Sequence, residues 1–303
     1  MKKTLLILLS IFLFSCTEKK NNQNPELDLQ TEINKIIAGK NATIAVSVNS
    51  IEDDFKIDIN GNKELPLLSV FKFHVAIAIL NEVDAKKLNL NQKIAVEKSD
   101  LHDNTYSPFR DEFPNGSREK TLGEVLKYVV SQSDNNITDV LIKKIGGTKI
   151  VQQTLDNKGI KNFKISANEA KMHENWKNMY LNTSSTNSLN DALKKLYDGD
   201  LLSKNSTDFL MKTMLETTTG ANKIVAQLPK NTPVAHKTGA SGKNDAGLTA
   251  AENDIAIITL PNGKHYAISI LISDSMESEE TNTKLIADIS KTVYDYLIKI
   301  ERK

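Results

Sequence analysis

The stretch Leu65-Pro66-Leu67-Leu68-Ser69-Val70-Phe71-Lys72-Phe73-His74-Val75-Ala76-Ile77-Ala78-Ile79-Leu80 is apolar at nearly every position. A helix that is apolar all the way round has no face to offer water, so it belongs in the interior. Lys72 then lies inside as well, where an unpaired ammonium is costly and needs a partner or a task. Ser69 stands three residues earlier, on the same face of that helix. Burial can lower a lysine's pKa until it accepts a serine proton. Ser69 at the helix N-terminus also has a backbone amide free to help hold an oxyanion. Taken alone the segment is equally consistent with a blander reading, in which Ser69 caps the helix and Lys72 snorkels outward. His74, a lone histidine on a core helix, is assigned to packing.

Two later segments bear on that choice. Ser131-Gln132-Ser133-Asp134-Asn135-Asn136 follows a helix announced by the capping box of Thr121 and Glu124, and by itself reads as a polar loop between helices. Val234-Ala235-His236-Lys237-Thr238-Gly239-Ala240-Ser241-Gly242 has an apolar approach to Lys-Thr-Gly, which suggests a strand presenting a cation and a hydroxyl side by side. Its glycine would let a ligand approach the backbone. An ordinary strand end has the same local appearance.

Working outward, Leu27, Ile33, Ile36 and Ile37 predict an amphipathic helix, and residues 42–50 and 55–59 alternate as strands do. From about residue 65 to 215 the punctuation is helical, with Gly146-Gly147 closing one helix. Strand character returns at 233–239. Residues 255–260 and 266–272 flank Pro261-Asn262-Gly263-Lys264, in which Asn-Gly signals a hairpin. A last helix, about 279–300, places Leu285, Ile286, Ile289 and Val293 on one face. Strands at both ends around a helical middle imply that the two ends meet in one sheet while the middle packs as its own lobe.

With 39 Lys plus Arg against 38 Asp plus Glu in 303 residues, the chain carries no basic field that would gather nucleic acid. Lys2 and Lys3 precede an apolar run from Leu5 to Phe14, too short to span a bilayer but suited to a signal peptide over 1–15. Cys16 follows Leu13-Phe14-Ser15, which resembles a lipoprotein cleavage site. Lipidation there would attach the chain to a membrane; an ordinary secretory peptide with a stray cysteine is the alternative. Residues 16–25 read as a polar tether. A lone cysteine allows no internal disulfide, and the five scattered histidines match no metal-binding spacing.

In this order and with these long intervals, Ser-x-x-Lys, Ser-Asp-Asn and Lys-Thr-Gly resemble the motifs of penicillin-recognising serine enzymes. The chain from about residue 26 onward is similar to the class A serine β-lactamases. Ala251-Glu252-Asn253-Asp254-Ile255 resembles the family too, as does Asp274-Ser275, read as entering the last helix. The resemblance implies a two-lobe fold, α/β plus all-α, of the serine β-lactamase and penicillin-binding-protein type. Its antiparallel sheet, flanked by N- and C-terminal helices, would use about 26–62 and 218–303, and its helical lobe about 63–217. It further implies Ser69 as nucleophile, Lys72 as its basic neighbour, and Ser133 as proton relay to the leaving nitrogen. Asn135 would bind the substrate's side-chain amide, and Lys237 and Thr238 its carboxylate. The amides of Ser69 and Ala240, beside Gly239, would form the oxyanion hole, with Tyr106 as an aromatic wall at the pocket mouth.

Glu169, in Asn168-Glu169-Ala170-Lys171-Met172-His173, fits the omega-loop carboxylate that activates the deacylating water; a solvent-facing glutamate is the alternative. Two positions depart from the common pattern. His173 stands where the family usually has asparagine, as in the PER-type extended-spectrum branch, so a rearranged omega loop and a leaning towards cephalosporins, bulky oxyimino ones included, are implied. Lys223 stands where relatives often place an arginine supporting the carboxylate site, and it lacks the planar fork. The resemblance implies a monomer that needs no cofactor and takes a small β-lactam as its partner. A penicillin-binding peptidase and a β-lactam-sensing lipoprotein that never turns over are the rival functions, and Glu169 argues against both.

Overall fold

The computed structural model describes residues 25–301, so the expected leader, Cys16 and all of the tether except Pro25 lie outside the described residues. The alternating segments near both ends meet in one five-stranded antiparallel sheet. Its strands are β1 (Thr43–Ser50), β2 (Lys56–Ile59), β3 (Val234–Ala240), β4 (Thr249–Thr259) and β5 (His265–Ser275), in the order β2-β1-β5-β4-β3. Because successive side chains point to opposite faces, the sheet feeds two cores. Val46, Val48, Ile268, Ile270 and Ile272 face the terminal helices α1 (Pro25–Ile37) and α9 (Glu279–Glu301), which supply Leu29, Ile33, Ile286 and Ile289. Ala45, Ala235, Ile255, Ile257 and Leu271 face the helical lobe.

At the centre of that lobe is α2 (Phe71–Asp84), whose residues 71–80 are all buried. It packs on α3 (Leu122–Val130), α4 (Asn135–Lys144), α5 (Thr148–Asn157) and, beyond α6 (Glu169–His173) and α7 (Thr186–Asp198), on α8 (Lys204–Leu215). Each large apolar side chain buried there stabilises by about 1.5–3 kcal/mol, which offsets the cost of enclosing Lys72. Between the sheet and α7 runs a polar seam, where Ser47 Oγ bonds Thr186 Oγ1 at 2.7 Å and Ser269 Oγ donates to Asn190 Oδ1 at 2.7 Å.

The capping box at the start of α3 is formed, with Thr121 accepting from the Glu124 amide. Three local expectations are corrected. The stripe of α1 begins at Leu29, because Leu29 and Ile33 are one turn apart and point inward, whereas Leu27 is exposed. Strand β4 starts at Thr249, six residues before the strand expected from residue 255, so Glu252, Asn253 and Asp254 are strand residues. They are tolerated in a buried strand because each has a polar partner. Asp274 and Ser275 end β5 and do not enter the helix; Asp274 turns the chain at φ 50°.

Candidate active site

The turn that carries Ser69 is held from both sides. Leu65–Pro66 pairs with Thr183–Ser184, and the Leu67 amide donates to Asn182 O at 2.9 Å. Leu68 then adopts φ 45°, a left-handed conformation that a branched side chain enters at a cost of about 1–3 kcal/mol. The restraint opposing that strain is Asn253, buried in β4, whose Nδ2 donates to Pro66 O at 2.8 Å and Leu67 O at 3.1 Å. Ser69 follows in the single 3-10 turn Leu68–Val70 that leads into α2. Strand β3 lies against this turn at Gly239, where a Cβ would sit 2.5 Å from Leu67 O, 3.0 Å from Val70 N and 3.2 Å from Ser69 N. The glycine is therefore required by the close approach of the protein's own backbone, a reason that the sequence did not show.

Lys72 is fully buried and tied on every side. Its Nζ donates to Ser69 Oγ at 2.9 Å, Ser133 O at 2.7 Å and Asn135 Oδ1 at 2.5 Å, with Ser133 Oγ at 3.4 Å. Glu169 Oε1 stands 2.9 Å away, an ion pair whose angle is not that of a hydrogen bond. The snorkelling alternative fails on this geometry. Ser133 takes φ 62°, and Asp134 caps α4 while accepting from Ser107 Oγ, the Phe109 amide and the Ile137 amide, which locks the strained turn. Asn135 spans Lys72 and Thr105, donating to Thr105 Oγ1 at 2.7 Å.

Lys237 projects from β3 to the same cluster and donates to Ser133 Oγ at 2.9 Å and Thr238 O at 2.9 Å. Burial, reinforced by the nearby Lys72, pushes its ammonium well below the usual lysine range. Among the described residues it has no carboxylate within ion-pair distance, whereas Lys72 and Lys223 each do. Thr238 Oγ1 meets Thr219 Oγ1 at 2.6 Å.

Glu169 opens α6 and is placed by Asp139, one turn after Asn135 on α4. Asp139 Oδ1 accepts from the Glu169 amide at 2.7 Å, and Oδ2 accepts from the Ala170 amide and Asn168 Nδ2 at 2.9 Å each. Burial raises the Asp139 carboxyl to about 6. Asn182 fastens the preceding segment by accepting from the Ser166 and Ala167 amides and donating to Ala167 O. His173 Nδ1 lies 2.8 Å from Glu169 O.

Of the residues singled out from sequence, Ser69, Tyr106, Ser133, Asn135, Glu169, His173, Lys223, Thr238, Gly239 and Ala240 line one cavity of about 460 Å³, and Lys72 and Lys237 are fully buried behind its wall. Tyr106 is more than half exposed at its mouth. Lys223 is in place but differently occupied: its Nζ contacts Glu252 Oε1 at 2.5 Å and donates to Gly239 O and Asn253 O. His74 is buried with both ring nitrogens unbonded and stacks on Phe163; burial lowers it to about 4. Sequence reasoning missed Asp139, Asn182 and the tie from Asn253 to the turn that carries Ser69. The four-residue spacing of Asp139 from Asn135 was the one available signal.

A serine bonded to a buried lysine, itself paired to a glutamate, beside a second buried lysine with no carboxylate at ion-pair distance among the described residues, is suited to take an acyl group from a carboxylate-bearing substrate. The model of the β-lactamase enzyme family matches residues 28–297. The chain belongs to that family. It is 42% identical to the β-lactamase VEB-1 of Pseudomonas aeruginosa, the match covering 98% of each chain. It is 38% identical to the extended-spectrum β-lactamase PER-1 of the same organism, over 89% of this chain and 88% of that one. The crystal structure of the TLA-3 extended-spectrum β-lactamase superposes with a TM-score of 0.89 at 45% identity, over 90% of this chain and 99% of that one. These similarities place this family member in class A, near the PER-type branch, and the two-lobe fold agrees.

Proposed function

We propose that the chain hydrolyses the lactam ring of β-lactam antibiotics through an acyl-enzyme on Ser69, and so confers resistance to them. The observation that carries the reading is that Lys72 Nζ stands 2.9 Å from both Ser69 Oγ and Glu169 Oε1, so one buried cation couples the nucleophile to the carboxylate. The substrate carboxylate docks on Lys237 and Thr238, and Asn135 takes the side-chain amide. Ser69 Oγ attacks the lactam carbon and its proton passes to the Lys72–Glu169 couple, while the amides of Ser69 and Ala240 hold the oxyanion. The C–N bond breaks as Ser133 delivers a proton to nitrogen and takes one back from the Lys72–Glu169 couple, which leaves Glu169 ionised again. A water that gives its proton to Glu169 then attacks the ester carbonyl, and that proton passes through Lys72 to Ser69 Oγ as the ester bond breaks and Ser69 is released.

Oxyimino-cephalosporins are the substrates this reading favours, on the His173 position and the likeness to PER-1. The apolar run before Cys16 supports export, and Leu13-Phe14-Ser15-Cys16 supports a lipid anchor. Nitrocefin should be turned over many times without added zinc and with chelator present; a single burst of one equivalent would sink the hydrolase. Glu169→Gln should still acylate but accumulate acyl-enzyme in intact-mass spectra, and unchanged steady-state turnover would remove Glu169 from its role.

A further inference from the structure

One lysine lines the cleft, Lys223, and two stand buried behind its wall, Lys72 and Lys237; Lys72 and Lys223 are each paired to a carboxylate. Lys223 has three ammonium protons and three acceptors: Glu252 Oε1 at 2.5 Å, Asn253 O at 3.1 Å and Gly239 O at 3.2 Å. Its donors are consumed, and its charge is cancelled by a carboxylate as deeply buried as itself. The register of the sheet makes the pairing: Glu252 lies opposite Ala240 across β3 and β4, and Lys223 reaches both strands from the turn that begins at Gly220. Both side chains line the cavity that contains Ser69.

We propose that Glu252 is a specificity-determining residue: it masks Lys223, so that the substrate carboxylate is received by Lys237 and Thr238 alone, with no second cation. Lys223 then acts as a positioning residue that ties the Gly239 carbonyl of β3 to β4. This rests on the function proposed above. Burial holds the Glu252 carboxyl above its usual range, opposed by the Lys223 ammonium, with Glu279 and Asp254 pushing the same way as burial. A cleft built this way binds mono-anionic β-lactams less tightly than one presenting two free cations, and leaves the chemical step at Ser69 untouched.

The test is steady-state kinetics with benzylpenicillin and cephalothin. Glu252→Gln keeps an acceptor for Lys223 but removes the negative charge. KM should fall about fivefold with kcat within twofold of wild type, and raising NaCl from 20 to 200 mM should erode the gain because salt screens the unmasked cation. Glu252→Asp, which restores the carboxylate, should return KM towards the wild-type value. Adding Lys223→Met to Glu252→Gln should abolish the gain, since the gain comes from Lys223. A KM that is unmoved or raised in Glu252→Gln, or a gain that survives loss of Lys223, overturns the proposal. A melting midpoint measured for each variant separates misfolding from masking: a Glu252→Gln protein that no longer folds would show the pair to be structural and also overturn it. If the wild type hydrolyses neither drug, the hydrolase reading fails and takes this one with it; turnover with unmoved KM defeats only the mask.

Discussion

Replacing Gly239 with alanine tests the contact on which the site is assembled. The added methyl would lie 2.5 Å from Leu67 O, 3.0 Å from Val70 N and 3.2 Å from Ser69 N. An ordinary carbon–oxygen contact needs about 3.4 Å or more, so either β3 or the nucleophile turn must retreat by roughly 1 Å. The turn is poorly placed to give way, because Leu68 is already at φ 45° and Asn253 holds the carbonyls on either side of the Pro66–Leu67 bond. A misplacement of about 1 Å between Ser69 and the oxyanion-binding edge should slow acylation on the order of 100-fold. Overpacking should cost about 1–3 kcal/mol of stability. Gly239 does not adopt a left-handed φ, so the effect would be steric. Gly242→Ala is the matched control: that residue has φ +69° and nothing within 4 Å of its would-be Cβ, so it should lose about 1–2 kcal/mol and acylate at the wild-type rate. The assay is single-turnover stopped flow with nitrocefin, alongside thermal melts. Acylation of Gly239→Ala within threefold of wild type, or an equal slowing in Gly242→Ala, would refute the reasoning.

Two further outcomes follow from buried titratable groups. His74 is lowered from 6.5 to about 4, so between those values the unfolded chain binds a proton that the native one refuses, and stability is lost as pH falls from 6.5 towards 4. Over that window the loss approaches about 3 kcal/mol. His74→Phe, stacked on Phe163, should match wild type in urea melts at pH 7.5 and exceed it by about 2 kcal/mol or more at pH 4.5; equal stability at both pH values would place the acid sensitivity elsewhere. Asp139, raised to about 6, should lose its acceptor role towards the Glu169 and Ala170 amides as pH falls through that value. Asp139→Asn, which sets an amide donor where an acceptor is required, should slow deacylation about 10- to 100-fold, worth about 1.4–2.7 kcal/mol. It should also remove the part of the acid limb near pH 6 that Asp139 contributes, and an identical limb in both proteins would assign that limb to another group.

The elements and their order were legible before any coordinates, because side-chain periodicity reports which way a strand or helix faces. Alternation found β1 and β2, Asn262-Gly263 found the hairpin of β4 and β5, and an unbroken apolar run around Lys72 announced a buried helix with a charge to satisfy. Ser69, Lys72, Ser133 and Lys237 were found together because three short motifs recur in one order, a signal that survives without geometry. Partnership was not legible. Glu252 and Asp254 lay outside the strand expected from residue 255, and only the β3–β4 register places Glu252 opposite Ala240 and within reach of Lys223. Asp139 belongs to none of the motifs, and its contact with the segment carrying Glu169 exists only because α4 packs against that segment. Gly239 was marked for the approach of a ligand, and that two pieces of backbone also cross there was not visible. Periodicity is local and is written along the chain. Which charge cancels which, and which backbone must have no side chain beside it, depend on distances between segments far apart in sequence, and those distances exist only once the sheet and the helical lobe have closed on each other.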